Sequence, residues 1–424
     1  MKIHIDIDCF FVSAARTLDP SLENVPVAIG GRSDTKIFSK EAKKQSVNFE
    51  NTGSFVPIFF KSYETKDDDI SMFQDEDGKI RGILTTASYE ARKYGVKTAM
   101  RIQEALQLCP ELIIKSPNMT LYQKLSHQLH QFLCSKIPLV EQASIDEFYA
   151  DLEGWIENEE VENFINTLRL EIKEQLQLPV SIGAAKTRYL AKLATSYAKP
   201  FGSKIILEKD YPLLVDPIKV EDFAGVGRSM RKKLHSVHIS TLGELKKRKG
   251  TLYSWGPYAK ELYKRVCGLS DGEIKTSHQR KSIGISRTID PLYDRNELHR
   301  RLHILVRHLS FAIYKFNVIP TVFHLSLSYE MNHKSHKNIS SLQLFSEKNL
   351  SKLCFNLLKD VDIYKRLHII RISISCSSFT RNSKKELSLL HFDQQYKMKK
   401  YDDTIQSLRA KYAIDILRWG GEFY

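Results

Sequence analysis

The sequence has no closely spaced cysteine pair. Its six cysteines, Cys9, Cys109, Cys134, Cys267, Cys354 and Cys376, are scattered, which excludes a Cys-x-x-Cys zinc or redox centre and reads as reduced, packed thiols. It has no apolar leader either. Met1-Lys2-Ile3-His4-Ile5-Asp6 places acids where a signal peptide would place its apolar core, and no run reaches the length of a membrane span. The expectation is a soluble, cytoplasmic chain without a membrane partner. There is no internal repeat and no low-complexity tract. Acid is short relative to base: 50 Asp and Glu stand against 64 Lys and Arg, a formal net charge of +14. That excess favours a polyanion, with nucleic acid the leading candidate, over a small acidic substrate.

What is present begins with size. At 424 residues, 42% of them hydrophobic, the chain is too long for one core, and a prior of roughly 150 residues per domain suggests two to four domains. Residues 2 to 9, KIHIDIDC, alternate with period two, so Ile3, Ile5 and Ile7 share one face and His4, Asp6 and Asp8 the other. A helix-like FVSAARTL and the apolar strand Val25 to Ile29 follow, a βαβ pattern that buries the first strand. From Gly30 to about Gly82 the character changes to basic, aromatic and acidic islands. Order returns at Gly82 to Val96, read as a strand end entering a helix capped near Ser88 and stopped near Gly95. Tyr89 and Arg92 share a face of that helix. Helices at Ile102 to Cys109 and Met119 to Lys136 lead to Ser144-Ile145-Asp146-Glu147, where two adjacent acids interrupt an apolar run. Acids in that position must be paired, hydrogen-bonded or bound to a metal. A divalent cation is the simplest partner, and a two-metal site usually needs a third acid from elsewhere.

Downstream come a helix at Val161 to Gln175, a strand at Pro179 to Ala184, a helix at Thr187 to Ala198, and Lys199-Pro200-Phe201-Gly202 before the strand Lys204 to Leu207. The first portion is therefore α+β. Residues 221 to 250 read as two short helices around Gly225-Val226-Gly227, with Arg228, Arg231, Lys232 and Lys233 close by. A Gly-x-Gly opening a helix frees backbone N–H groups for a phosphate, and with this basic surround it reads as a sequence-independent DNA-backbone binder. After a basic linker at 278 to 282, strands at Ile283 to Thr288, Thr321 to Tyr329, Leu342 to Phe345 and His368 to Ser375, with helices at Glu297 to Lys315 and Leu350 to Leu358, make two β-α-β halves carrying Arg287, Arg371 and Arg381. A last helix is expected at Tyr401 to Arg409.

The ordered set Asp6, Phe10-Phe11, Tyr89-x-x-Arg92, Ser144-Ile145-Asp146-Glu147, Ala198-Lys199-Pro200-x-Gly202, Gly-Val-Gly and Arg280-Lys281-Ser282-Ile283-Gly284 resembles the Y-family translesion DNA polymerases, the bacterial DinB-like branch most of all. The resemblance covers nearly the whole chain. It implies a right-hand polymerase: palm at 1 to 19 and 118 to 206, fingers at 20 to 117 with a long insertion near 32 to 81, a helix-hairpin-helix thumb at 207 to 277, a linker at 278 to 282, an α/β little finger at 283 to 385, and a tail at 386 to 424. It implies two Mg²⁺ ions held by Asp6, Asp146, Glu147 and the backbone carbonyl of Ile7, with Asp8 outside the ligand set. Phe11 matches the steric gate against ribonucleotides, and Thr86, Tyr89, Arg92 and Lys199 match the triphosphate contacts. DNA contacts are expected at Gly225, Gly227, Arg228, Arg231, Lys232, Lys281, Arg287 and Arg371. The implied activity is low-fidelity, template-directed transfer from dNTP to a primer 3′-hydroxyl by a monomer. Glu386 to Phe392 is similar to the family's sliding-clamp peptide, with Glu for the usual Gln. The 32 to 81 segment and Ala224, where proline is common, depart from the pattern. Two other classes compete: a non-catalytic scaffold that keeps only the DNA and clamp grip, and a palm-type nucleotidyl cyclase. The intact acids argue against the first; the basic thumb and C-terminal domain have no place in the second.

Overall fold

The computed structural model describes residues 1–32, 35–39, 47–48, 59–60, 73–74, 78–270, 272–277, 279–341, 343, 345–380 and 392–423. In chain order the elements are β1 (Lys2–Ile7), α1 (Phe10–Leu18), β2 (Val27–Gly31), β3 (Val47–Asn48), β4 (Phe59–Phe60), β5 (Ile83–Ala87), α2 (Tyr89–Lys93), α3 (Ile102–Leu108), β6 (Ile113–Lys115), α4 (Met119–Lys136), β7 (Val140–Gln142), β8 (Glu147–Asp151), α5 (Val161–Leu176), β9 (Val180–Ala185), α6 (Arg188–Ala198) and β10 (Ser203–Ile206). They continue with α7 (Arg228–His235), α8 (Leu242–Lys247), α9 (Lys249–Ser254), α10 (Pro257–Val266), β11 (Ser282–Leu292), α11 (Arg295–Lys315), β12 (Ile319–Tyr329), β13 (Lys334–Ser340), α12 (Glu347–Val361), β14 (Ile369–Thr380) and α13 (Phe392–Lys411). Among the described residues no helix is long and apolar enough to cross a membrane. The chain divides into two compact units, one of residues 1–31, 51–56 and 67–278, the other of 32–50, 57–66 and 279–424.

The first unit is built on a five-stranded sheet in the order β10-β9-β1-β8-β7. All six residues of central β1 are buried, because both of its faces are covered. Ile3, Ile5 and Ile7 pack with Leu129, Leu133, Ile165 and Ile172 of α4 and α5. The opposite face meets α6, where Thr195 Oγ1 lies 2.9 Å from His4 Nδ1. The period-two reading of KIHIDIDC thus holds, and its polar face is not solvated. A three-stranded sheet, β5-β2-β6, carries α2, and Ser88 caps that helix by accepting from Ala91 N at 3.2 Å. Helices α7 to α10 close around Leu234, Leu242, Leu252 and Leu262.

The second unit has a four-stranded antiparallel sheet, β11-β14-β12-β13, under α11 and α12. The strand expected at Leu342 to Phe345 lies partly outside the described residues, and its described residues Gln343 and Phe345 are in no strand; the sheet instead ends in β13 at Lys334–Ser340, an edge strand whose residues are exposed or half-buried. An edge strand wet on both faces has no apolar period to read. The apolar residue that gave the false signal, Phe345, stacks on Phe323 with ring centroids 6.4 Å apart just before α12. Two further segments pack into this unit. Ile37 and Phe38, from the stretch placed in the fingers, are buried in this unit's core with Leu298, Leu302 and Leu305, and Arg300 donates to the Phe38 carbonyl at 2.8 Å. The C-terminal residues read as a tail with a short helix form the longer α13, bonded to the unit through buried charge. Glu347 accepts from Gln406 Nε2 at 2.7 Å and from Arg409 and Trp419, and Arg307 is held between Asp415 and Glu422 at 2.6 and 3.0 Å.

Candidate active site

Antiparallel pairing of β1 with β8 puts Asp6 directly opposite Glu147, and Ile7 N donates to the Asp146 carbonyl at 3.0 Å. Ser144 builds the turn that delivers the two acids. Its Oγ accepts from Asp146 N and Glu147 N at 3.3 and 3.0 Å and donates to Asp146 Oδ1 at 2.6 Å. Asp6 therefore shares one end of the sheet with two acids far from it in sequence, Asp146 and Glu147. Donor atoms of His4, Asp6 and Glu147 lie within 4.8 Å of one another. The Asp146 carboxylate is turned to Ser144 and is outside that closest group, yet its charge acts on Asp6. Carboxylate oxygens grouped in this way fit a hard divalent cation such as Mg²⁺.

Burial governs the ionisation of the group. It pushes Asp6 up to about 6, against the pull of Lys199, and raises Asp146 despite the Ser144 hydrogen bond. Burial also pushes Glu147 up, but Lys192, and His4 where its ring is protonated, more than reverse it and bring the carboxyl down to about 2. His4 is itself held down to about 4, chiefly by burial. The imidazole is uncharged at neutral pH, so the cation facing Glu147 is Lys192. Lys192 Nζ lies 2.6 and 2.5 Å from the two Glu147 oxygens, and Lys199 Nζ lies 2.6 Å from Asp6 Oδ1. Neither His4 nor Lys192 was among the expected site residues. The available signals were the shared face of His4 and Asp6 and the seven-residue spacing of Lys192 and Lys199, two helical turns.

Asp8 has a different task. It accepts from Ser181 Oγ at 2.8 and 3.0 Å, Phe201 N at 2.6 Å and Tyr89 Oη at 3.1 Å. It ties β1, β9, α2 and the Lys199-Pro200-Phe201 turn together, as expected of a structural acid. Tyr89 is thus engaged through its hydroxyl, and Arg92 covers its ring at 4.9 Å while donating Nε to the Ala87 carbonyl at 3.0 Å. Thr86 sits in β5 opposite Ile29, so Thr86, Tyr89 and Arg92 occupy one strand-to-helix junction. Phe11 is the second residue of α1, two residues after the left-handed Cys9 (φ 45°), and stacks on Tyr122, centroids 4.3 Å apart at 17°.

The basic residues fall on exposed surface within each unit. Arg228, Arg231 and Lys232 are exposed on α7. Gly225 takes φ +101°, where its carbonyl accepts from Tyr258 Oη, whereas Gly227 lies outside the left-handed region and a Cβ there would meet open space. Only the first glycine is required by backbone geometry. In the second unit Lys281 and Arg371 are exposed and Arg287 half-buried, with Arg371 Nε donating to Ser286 Oγ at 2.7 Å. Arg381 and Glu386 to His391 lie outside the described residues.

The model of the impB/mucB/samB family matches residues 5–196, and that of the family's C-terminal domain matches residues 280–389. The chain belongs to the impB/mucB/samB family. Among its relatives is a protein named DNA polymerase IV from Bacillus anthracis, 27% identical over 99% of this chain and 93% of that protein. Among solved structures, the Y-family DNA polymerase chimera Dbh-Dpo4(243-245)-Dbh matches with a TM-score of 0.70 at 23% identity, covering 90% of this chain and 99% of its own. The insertion ternary complex of Dbh DNA polymerase matches with a TM-score of 0.55 at 22% identity and the same coverage. These likenesses extend the family assignment to the fold: palm, fingers, thumb and little finger of the Y-family type.

Proposed function

We propose that this impB/mucB/samB protein is a DNA-directed DNA polymerase of the DinB-type Y family, adding nucleotides from dNTPs to a primer 3′-hydroxyl at low fidelity opposite damaged template. One observation carries the reading: Asp6 faces Glu147 across β1 and β8 with Asp146 beside them, a carboxylate group positioned by backbone pairing. Asp6, Asp146, Glu147 and the Ile7 carbonyl would hold two Mg²⁺ ions. When bound, such ions activate the 3′-hydroxyl and stabilise the leaving pyrophosphate. The protein's own part is positioning. Phe11, fixed against Tyr122, packs against the sugar at the position a 2′-hydroxyl would need. Thr86, Tyr89, Arg92 and Lys199 take the triphosphate, with the Arg92 guanidinium matched to phosphate oxygens.

The remaining assignments extend the same proposal. The palm comprises 1 to 19 and 118 to 206, the thumb 207 to 277 and the little finger 283 to 385. Primer-template DNA is held through Gly225, Gly227, Arg228, Arg231, Lys232, Lys281, Arg287 and Arg371 by backbone contacts that read no sequence. The enzyme works as a cytoplasmic monomer, and Glu386 to Phe392 meets a sliding clamp. Primer extension with Mg²⁺ and four dNTPs tests the core of the proposal. Asp146→Ala should lower extension on the order of 10³-fold, several kcal/mol of lost transition-state stabilisation; equal extension by both proteins would remove the acids from the mechanism.

A further inference from the structure

Two ion pairs on one face of α6 differ in a way that separates a fixed contact from an exchangeable one. Arg188 and Lys192 are four residues apart and so neighbours on the helix surface. Arg188 makes a two-pronged pair with Glu141, both bonds 2.9 Å, with the Glu141 side chain 2% exposed. Its guanidinium also lies 4.2 Å from the Tyr149 ring centroid and donates to the Glu273 carbonyl. Every feature of that pair is permanent: planar fork, buried acid, aromatic backing. Lys192 is built otherwise. Its side chain is 34% exposed, its partner Glu147 is 26% exposed, and its single ammonium on a flexible stem spans both carboxylate oxygens.

We propose that Lys192 is an internal counter-ion that occupies the Glu147 oxygens in the metal-free protein and competes with a divalent cation for them. This rests on the reading of Asp6, Asp146 and Glu147 as the metal-binding acids. Uncompensated carboxylates held together at the end of a covered sheet repel one another and lose solvation, so the site needs positive charge before any metal arrives. Lys192 supplies it on Glu147 as Lys199 does on Asp6. Both ammonium groups take lone pairs that a metal would require. A cation entering the site therefore displaces Lys192, whose partly exposed stem lets the ammonium swing to water at little conformational cost. His4 cannot take over the charge: its Nε2 stands 3.6 Å from Glu147 Oε2, beyond hydrogen-bonding length, on a fully buried ring.

The proposal fixes the sign of a substitution effect. Mn²⁺ binding to the full-length protein without DNA is followed by electron paramagnetic resonance of the free ion. K192Q should bind Mn²⁺ roughly two- to fivefold more tightly than the wild type, the scale of one partly solvated ion pair. K192R, which keeps the charge, should stay near the wild-type affinity. Equal or weaker binding by K192Q overturns the proposal, since a merely structural lysine would lose the site with its removal. E147Q separates the two layers of the argument: unchanged Mn²⁺ binding there would overturn the acid assignment itself. A measurement on the wild type is independent of any variant's folding. Labelling of Lys192 by an amine-acylating reagent, read by mass spectrometry, should rise on saturation with Mn²⁺, and labelling indifferent to the metal also overturns the proposal.

Discussion

Single side chains in the first unit carry opposite kinds of consequence. Phe11 is stacked on Tyr122 at the edge of the core rather than within it, so its truncation should disturb selection more than folding. Phe11→Ala is expected to raise incorporation of rNTPs relative to dNTPs roughly 10- to 200-fold, the range that a packing contact can discriminate. Competitive primer extension with matched rNTP and dNTP measures it, and unchanged sugar discrimination would take Phe11 out of the gate. Asp8, two residues beyond Asp6 on the same face, should behave in the reverse way. It receives hydrogen bonds from Ser181, Phe201 N and Tyr89, and Asp8→Ala leaves those buried donors unanswered. A loss of about 2–4 kcal/mol in urea denaturation is expected, and a variant as stable as the wild type would show that the knot is not structural.

At the scale of elements, α13 is joined to α12 through buried charged groups, and that joint should respond to pH. Asp402 on α13 accepts from the Glu347 backbone N at 3.2 Å, and burial above all pushes its carboxyl from 3.8 up to about 6. A folded-state value above the unfolded one means that the native form binds the proton more tightly. Its stabilisation is complete below about pH 4 and is lost as pH rises through 6, in total about 3 kcal/mol for a shift of roughly two units. The stability of the wild type relative to Asp402→Asn should therefore decline between pH 4 and 6 and level off above. A pH-independent difference between the two proteins in urea melts would contradict this. The helix itself was only half legible: residues 401 to 409 were foreseen, but α13 begins at Phe392.

For the molecule as a whole, the decisive quantity is the charge of +14. Exposed Arg228, Arg231, Lys232, Lys281 and Arg371 can neutralise phosphates without reading bases, and each neutralised phosphate releases counter-ions. Affinity for primer-template DNA should fall linearly in log–log salt titrations, with a loss on the order of 10³–10⁵ between 50 and 200 mM salt if about six to ten phosphates are contacted. Fluorescence anisotropy with two unrelated duplex sequences checks both the slope and its indifference to sequence. A flat salt response would remove nucleic-acid backbone contacts as the purpose of the charge.

By itself the sequence determined the elements whose patterns are local. Period two in KIHIDIDC placed three isoleucines on one face of β1 and His4, Asp6 and Asp8 on the other, and Ser88 and Gly95 marked the ends of the short helix carrying Tyr89 and Arg92. The adjacent acids at 146 and 147 were conspicuous because charge in an apolar run demands a partner. Tertiary structure alone decided what those partners are. Strand pairing has no signature within one strand, so the register of Asp6 against Glu147 came only from β1 meeting β8. The lysines on Glu147 and Asp6, the knot around Asp8 and the burial of His4 arise from a helix laid over the sheet. The same holds for Ile37 and Phe38, which entered the second unit's core although residues 1–31, a few positions earlier in sequence, belong to the first. Periodicity reports which face is apolar; it does not report which distant surface will cover it.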